Sequence, residues 1–144
     1  MPMRALVLCA VLMTSGTASA VGVSIEAAGG VWFGPAAPQF QVTLSVHQAL
    51  GEVVRIGLRS GVALNLPGGY PEVAIPIDVL LRFRIKRIFL EPLGGPWFVL
   101  GRPDFLRAHA GMAIGVLFGA FELSVEAGWL QPSALLLGRF SFHF

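Results

Sequence analysis

The sequence predicts an all-β fold: an eight-stranded antiparallel up-and-down transmembrane β-barrel with a lipid-facing apolar exterior and a polar interior. Polar and apolar residues alternate with the two-residue period of a strand through most of residues 21–144. Only 12% of the residues are charged, against about 25% in an ordinary soluble domain. Almost every charge within a predicted strand falls on one face, which leaves the opposite face apolar.

Residues 1–20 have the pattern of a cleaved secretory signal peptide. A positive start and a short apolar run precede Ala18 and Ala20, which fit a small-residue cleavage site. The apolar run is too short to span a bilayer, which argues against a retained membrane anchor. The one cysteine, Cys9, lies in this segment, so the mature chain would have no disulfide and no thiol nucleophile. We therefore expect residues 21–144 to form a single barrel domain outside the cytoplasm.

The first four strands are predicted at residues 21–33, 39–48, 52–66 and 72–86, separated by turns that contain glycine or proline. Val, Ile, Leu and Phe occupy one face of each strand. The other face carries Glu26 on the first strand and His47 on the second. The polar faces of the third and fourth strands carry most of the arginines: Arg55, Arg59, Arg82 and Arg84, together with Asp78. Pro76 lies inside the fourth strand, where we expect a bulge or kink because a closed barrel has no edge strand.

The last four strands are less uniform. A connection over residues 87–96, rich in proline and glycine, precedes a short fifth strand at 97–102. The sixth strand is predicted at 107–118 and the seventh at 120–130, where Glu122 and Glu126 lie on the polar face. The eighth strand, 134–144, places Phe140, Phe142 and Phe144 on one face and Arg139, Ser141 and His143 on the other.

The charged face is predicted to point inward. The exterior of a soluble barrel usually carries many lysines, and this chain has one, Lys86. With the charged face inside, the charges neutralise one another in the lumen and the aliphatic face meets lipid. The alternative is a soluble, lipocalin-like barrel in which the aliphatic face lines a ligand pocket.

The heights of the aromatic residues support the membrane interpretation, because two aromatic belts are expected at the two interfaces of a bilayer. If the first strand runs upward, five aromatics lie near the upper rim: Phe33, Phe40, Tyr70, Phe105 and Trp129. Nine more lie at or toward the lower rim: Phe83, Phe89, Trp97, Phe98, Phe118, Phe121, Phe140, Phe142 and Phe144.

On these features the sequence resembles the small bacterial outer-membrane β-barrel families, namely the OmpA transmembrane domain, OmpX and OmpW. The resemblance covers residues 21–144 and rests on the signal peptide, the eight alternating strands and the terminal phenylalanine with apolar residues at alternate positions before it. In those families the terminal pattern is read by the barrel-assembly machinery, which implies this role for Phe140, Phe142 and Phe144.

The resemblance also implies a place in the outer membrane of a double-membraned bacterium, reached through the secretion translocase and surrounded by outer-membrane lipid. The chain departs from those families in its connections. Its outer-facing loops are about as short as tight turns, and the longest connection, 87–96, falls on the periplasmic side.

The lumen is predicted to hold a polar network of ten residues: Glu26, Arg55, Arg59, Asp78, Arg82, Arg84, Glu122, Glu126, Arg139 and His143. Within it, Arg139 is expected between Glu26 and Glu126, and the other arginines are expected to reach toward Glu122 and Asp78. An eight-stranded barrel is just wide enough for its own side chains, and buried charges persist only when paired. We therefore expect a side-chain plug, with an ion path or solute site as the alternative.

These features predict a structural or envelope-integrity barrel that is not an enzyme. The alternative is a narrow OmpW-like channel for small or apolar solutes; a soluble periplasmic lipocalin-like carrier and a lipid-modifying enzyme are less favoured. Ser141 and His143 with Glu122 or Glu126 suggest a nucleophile, base and orienter, but they face the lumen at the inner rim. The three histidines lack metal-ligand spacing, so no metal site is expected. We expect no cofactor, and no nucleic-acid partner because the chain has no basic run.

Overall fold

The computed structural model describes residues 21–144, most of which lie in β-strands. The predicted signal peptide, with its cleavage residues Ala18 and Ala20, lies outside the described residues. Within the described part, a short 3₁₀ turn spans Pro67–Gly69. No helix in residues 21–144 has the length and apolar character needed to cross a membrane.

Eight antiparallel strands close into one barrel. They are β1 (Val21–Trp32), β2 (Ala37–Ala49), β3 (Val54–Asn65), β4 (Glu72–Ile85), β5 (Ile88–Val99), β6 (Leu106–Phe118), β7 (Phe121–Leu130) and β8 (Ser133–His143). Each strand pairs with the next in sequence, and β8 pairs back with β1. This order confirms the predicted up-and-down barrel.

The pairing register determines how strongly the strands tilt. From Val23 on β1, successive partners are Val46, Leu58, Val79, Gly94, Ala110, Trp129 and Ala134. The Ala134 carbonyl accepts a hydrogen bond from the N–H of Phe33, so the path returns to β1 ten residues beyond Val23 (33 − 23 = 10). A stagger of this kind tilts the strands by roughly 35–45° and leaves a lumen that side chains can fill.

The two faces of the strands differ sharply in exposure. On β2, exposed fractions from 43% to 56% are found for Phe40, Val42, Leu44 and Val46. The polar residues between them are at most 4% exposed: Gln41, Thr43, Ser45 and His47. The same alternation runs along the other strands. The predicted apolar exterior and polar interior are therefore confirmed.

The barrel has two distinct ends. The lower end carries both ends of the described chain and the turns at residues 50–53, 86–87 and 119–120. The upper end carries the connections 33–36, 66–71, 100–105 and 131–132, none of which exceeds six residues. The expectation of short outer-facing loops therefore agrees with the structure.

The fifth strand was predicted wrongly. Residues 87–96 are not a long connection: β5 already begins at Ile88, and Lys86 and Arg87 alone turn the chain from β4 into β5. Lys86 has a φ of 56°, as tight two-residue hairpins require. The long lower connection that the sequence predicted at residues 87–96 is therefore absent.

Proline and glycine concealed this strand because they are turn signals elsewhere. At Pro92 and Pro96 the pairing of β5 with β4 lapses, whereas its pairing with β6 is continuous, so each missing donor affects only one side. Gly95 allows a close approach of the backbones, since a Cβ at this position would lie 1.9 Å from the Ile77 carbonyl oxygen. The residues that resemble a loop therefore allow β5 to pair closely with its neighbours.

The bulge or kink expected at Pro76 takes the milder form of a gap in the ladder. Pairing between β3 and β4 lapses only between Ser60↔Ile77 and Ala63↔Ala74. Each strand supplies two residues to this gap, so no residue is inserted and the register is the same on both sides. Pro76 still pairs with Trp97 on β5, which keeps the barrel closed at this height.

Because β5 begins earlier than predicted, two aromatic residues lie at a different height from the one predicted. Trp97 and Phe98 lie near the upper end of β5, not at the lower rim, because the strand starts nine residues earlier than predicted (97 − 88 = 9). Trp97 and Phe89 point into the lumen, where each is at most 1% exposed. Five of the remaining predicted lower-rim aromatics are exposed on the exterior: Phe83, Phe118, Phe121, Phe140 and Phe144. Phe142 is partly buried and packs against Phe121 and Phe144.

Candidate functional site

The polar lumen brings together charged side chains from seven strands, β1 and β3 to β8. Alternation along each strand turns these side chains inward, where they are almost completely buried. Seven of the ten residues expected in the lumen are at most 4% exposed: Glu26, Arg59, Asp78, Arg82, Glu122, Glu126 and Arg139. His143 lies at the lower end and is partly buried.

Arg59 is the hub of the central ion cluster, which we define as Glu26, Arg59, Asp78, Glu126 and Arg139. Its guanidinium donates to Asp78 at 2.8 Å, to Glu126 at 2.9 Å and to Glu26 at 3.2 Å. These three carboxylates come from β4, β7 and β1, so one side chain on β3 ties together strands that are not all neighbours. Burial at 0% exposure makes each contact stronger than its surface equivalent.

Arg139 is the second cation of the central cluster. Its Nε donates to Glu26 at 2.8 Å, and its Nη1 lies 3.3 Å from Glu126, so it occupies the place between the two glutamates that the sequence suggested. Its Nη2 also donates to Glu91 on β5 at 3.0 Å. Arg139 thereby joins the central cluster to the groups below it.

The lower ion cluster consists of Arg82, Glu91, Glu122 and His143. Arg82 donates to Glu122 at 2.7 Å and also to Glu91, and its guanidinium lies 4.1 Å from the ring centre of Phe89. The His143 ring lies 2.9 Å from the same Glu122 carboxylate. Each buried carboxylate here has at least one cationic neighbour, as buried charges require.

His109 is an additional cation in the centre. Its Nδ1 lies 2.8 Å from Asp78, and its Nε2 lies 3.1 Å from Glu126, although the second pair is poorly aligned for a hydrogen bond. Ionised carboxylates only accept hydrogen bonds, so an imidazole that faces one on each side is expected to carry both ring protons. Trp97 packs on the His109 ring and donates to Asp78 at 3.3 Å.

Two predicted members do not join the network. Arg55 and Arg84 were expected to reach toward Glu122 and Asp78, but neither forms an ion pair with a carboxylate of residues 21–144. Arg84 donates to the backbone carbonyl of Lys86 at 2.9 Å instead. Both residues lie at the lower ends of their strands, and Arg82 already occupies the carboxylate that Arg84 would have to reach.

Several site residues were missed from the sequence. Glu91 was missed because it was assigned to a loop; with β5 in place, its parity turns it inward with Phe89, Leu93 and Trp97. His109 was considered only as a metal ligand. Glu72 and Arg107, at the upper ends of β4 and β6, have inward parity that alternation alone would have revealed.

An apolar layer occupies the upper half of the lumen. Large side chains from β1, β5, β7 and β8 pack against alanines of β1 to β4; the layer comprises Trp32, Trp97, Val99, Leu130, Leu135, Leu137, Ala28, Ala37, Ala63 and Ala74. Trp32 Nε1 donates to the Leu130 carbonyl at 2.9 Å, which satisfies its one polar atom. The lumen therefore holds a polar layer below and an apolar layer above.

The upper rim carries a separate, charge-balanced group. Glu72 accepts hydrogen bonds from Arg107, and Arg107 also stacks on Trp32 at 4.7 Å and donates to Asp104 at 3.0 Å. The hydrogen bond from Arg107 lowers the pKa of Asp104, which lies in the connection between β5 and β6. These side chains and Arg102 line an open cleft of about 540 Å³.

Ser141 and His143 do not form a nucleophile–base pair. The Ser141 hydroxyl is directed at Glu26 over 3.4 Å, and His143 contacts Glu122. The two side chains therefore have different partners. Within residues 21–144, no group of three or more His, Asp or Glu side chains is arranged to hold a metal ion.

No family model matches the sequence, and neither does any curated protein. Solved structures do match. A designed transmembrane β-barrel superimposes with a TM-score of 0.65 at 10% identity, covering 85% of this chain and 95% of the design. The outer membrane protein Ail of Yersinia pestis gives a TM-score of 0.59 at 10% identity, covering 88% of this chain and 99% of Ail.

The outer membrane enzyme PagL gives a TM-score of 0.56 at 14% identity, covering 84% of this chain and 98% of PagL. At such low identities these likenesses establish the fold. The chain has the eight-stranded fold of outer-membrane barrels. The likenesses do not single out OmpA, OmpX or OmpW, the families that the sequence was predicted to resemble.

Proposed function

We propose that this chain is a structural barrel of the bacterial outer membrane whose lumen is closed by its own side chains. The observation that carries the proposal is the two-layered filling: the central and lower ion clusters below, and the apolar layer above. The upper connections are also too short to fold into a separate binding or catalytic module. Outer-membrane lipid would contact the aliphatic exterior.

Electrical recordings in planar bilayers test the closed lumen. We expect the wild-type protein to give no current above the lipid baseline, because the apolar layer would interrupt a water column in the upper half of the lumen. A variant that trims this layer, Trp97→Ala with Leu135→Ala and Leu137→Ala, serves as the leaky comparison. Leu136→Ala, on the lipid-facing side of β8 between Leu135 and Leu137, is the control and should give the same current as the wild type.

A narrow channel for small or apolar solutes is the second candidate, and one observation favours it. The amides of Gln39 and Gln41 are buried on β2, and neither makes a hydrogen bond with another residue of the described part of the chain. Buried amides normally have partners, so water is expected beside them. Reproducible conductance steps from the wild-type protein would favour the channel and contradict the closed barrel.

We further propose that the terminal aromatics are read by the barrel-assembly machinery, as the resemblance implies. Phe144 is 77% exposed and its ring contacts Phe142 edge-on at 5.2 Å, so it is accessible at the lower rim. We expect Phe144→Ala to lower the amount of folded barrel in cells several-fold while leaving refolding into detergent micelles almost unchanged.

Phe118→Ala, which removes an exposed aromatic from the same rim but not from the terminus, is the control for Phe144→Ala. Equal losses in cells for both variants would show that the rim aromatics act only through lipid contact. We assign no catalytic role to Ser141 and His143, since their partners are the carboxylates of the ion clusters.

A further inference from the structure

The inward-facing arginines divide into two classes. Arg59, Arg82, Arg107 and Arg139 each contact at least two carboxylates. Arg55 and Arg84 form no ion pair within residues 21–144: the Arg84 side chain donates only to a backbone carbonyl, and the Arg55 side chain makes no hydrogen bond with a described residue. Both are partly buried, so these two guanidiniums have lost part of their hydration without gaining a carboxylate.

The register of β3 and β4 places these arginines together. Arg55 is directly opposite Arg82, and the backbone N–H of Arg84 donates to the Val53 carbonyl at 2.8 Å, one step closer to the lower end. The nearby charges that act on Arg55 are those of Arg84 and Arg82. Like charges on one face of neighbouring strands destabilise a sheet, so the arrangement is costly without an anion.

The acidic groups of the lumen already contact nearer side chains. Five carboxylates in the two ion clusters face three arginines, and histidines supply the remaining contacts: His109 at Asp78 and Glu126, and His143 at Glu122. Glu91, the remaining acid of the lower cluster, is held by Arg82 and Arg139 and also lies 3.6 Å from His47. Arg55 and Arg84 are therefore not needed as direct partners of these acids.

The lower mouth offers space and further positive charge beside these two arginines. Gly22 faces Arg55 across the mouth, and a Cβ at Gly22 would lie 4.0 Å from Arg55 Nη1, so Gly22 itself places no side chain over the guanidinium. Lys86 and Arg87 are exposed in the adjoining turn, and of the acidic side chains Glu52 alone lies in a turn of this rim. The upper rim differs, since its arginines pair with Glu72 and Asp104.

We propose that Arg55 and Arg84 form a binding site for a phosphate group at the lower mouth of the barrel. Guanidinium forks match the oxygens of a phosphate and can bind it through paired hydrogen bonds. Lys86 and Arg87 attract the anion from solution, whereas the half-buried arginines hold it. The phosphate belongs either to a lipid headgroup of the surrounding leaflet or to a soluble phosphate.

Two binding measurements on the whole barrel separate these sources. In an uncharged maltoside detergent, inorganic phosphate is titrated by calorimetry. In nanodiscs of phosphatidylcholine with or without phosphatidylglycerol, the shift of the unfolding temperature is followed by tryptophan fluorescence. Phosphate binding in detergent points to a soluble phosphate, and stabilisation only by phosphatidylglycerol points to the lipid headgroup; either result supports the site.

The decisive variant is Arg55→Gln with Arg84→Gln, compared with Lys86→Gln and Arg87→Gln, which removes the same charge from the same rim. We expect the first pair to weaken binding by about tenfold or more and the second pair by about threefold or less. The first variant should fold normally, because it relieves repulsion between like charges. No binding by the wild type to either probe, or equal losses in the two variants, would overturn the proposal.

Discussion

Replacing Arg59 with methionine is expected to destabilise the barrel by about 3–5 kcal/mol. Arg59 is fully buried and contacts Glu26, Asp78 and Glu126, so its loss leaves three buried carboxylates with weaker compensation. Methionine fills similar space, so the effect reports charge rather than volume. Denaturant unfolding of the protein in lipid vesicles, followed by tryptophan fluorescence, measures the change.

Arg102→Met is the matched control for Arg59→Met. The Arg102 side chain is 44% exposed and makes one long ion pair, 3.5 Å from Glu72, so its loss should cost about 1 kcal/mol or less. Adding Glu126→Gln to Arg59→Met should recover part of the stability, because it removes one of the uncompensated carboxylates. An Arg59→Met protein as stable as Arg102→Met would show that the central cluster contributes little.

Substituting valine for Gly95 is expected to prevent the barrel from closing. A Cβ at this position would lie 1.9 Å from the Ile77 carbonyl oxygen and 3.0 Å from the Asp78 Cα, and both are backbone atoms that cannot rotate away. β4 and β5 would have to separate at the height where Asp78 binds Arg59. We expect loss of the compact species that migrates differently on SDS gels before and after boiling.

Gly138→Val is the control for Gly95→Val. It adds the same atoms in the middle of another strand, β8, where no neighbouring atom obstructs them. A Cβ at Gly138 has only the Gly29 carbonyl oxygen within reach, at 3.8 Å, so a change of about 0.5 kcal/mol or less is expected. A heat-modifiable, membrane-inserted Gly95→Val protein would show that β4 and β5 do not approach as closely as the structure indicates.

Strand alternation carried most of the fold prediction. Seven strands, the faces of all of these but the sixth and the inward direction of the assigned charges followed from the two-residue period, because each strand has one face in lipid and one in the lumen. The first nine residues of the fifth strand were missed because Pro92, Gly94, Gly95 and Pro96 are turn signals in isolation. Only the paired strands show that the prolines each lose one partner and that the glycine allows close contact.

Most of the residues of the ion clusters could be predicted from the sequence, but only some of the contacts between them could. Arg139 beside Glu26 and Glu126 follows from the adjacency of β1, β7 and β8. The contact of Arg59 with Glu126 crosses the lumen between strands that do not pair, and depends on the tilt and stagger of the barrel. The lack of a carboxylate partner for Arg55 and Arg84 could not be predicted, since alternation shows which way a side chain points but not which groups its guanidinium contacts.

A single-cysteine scan along β2 tests the central claim, an apolar exterior in lipid around a filled polar lumen. Residues 21–144 contain no native cysteine, so spin labels can be placed one at a time at residues 40–47 in vesicles. We predict that labels at Phe40, Val42, Leu44 and Val46 collide with oxygen dissolved in lipid, and that labels at the intervening positions are shielded from it. High collision rates with a water-soluble reagent at Val42, Leu44 and Val46 would contradict the membrane-spanning barrel.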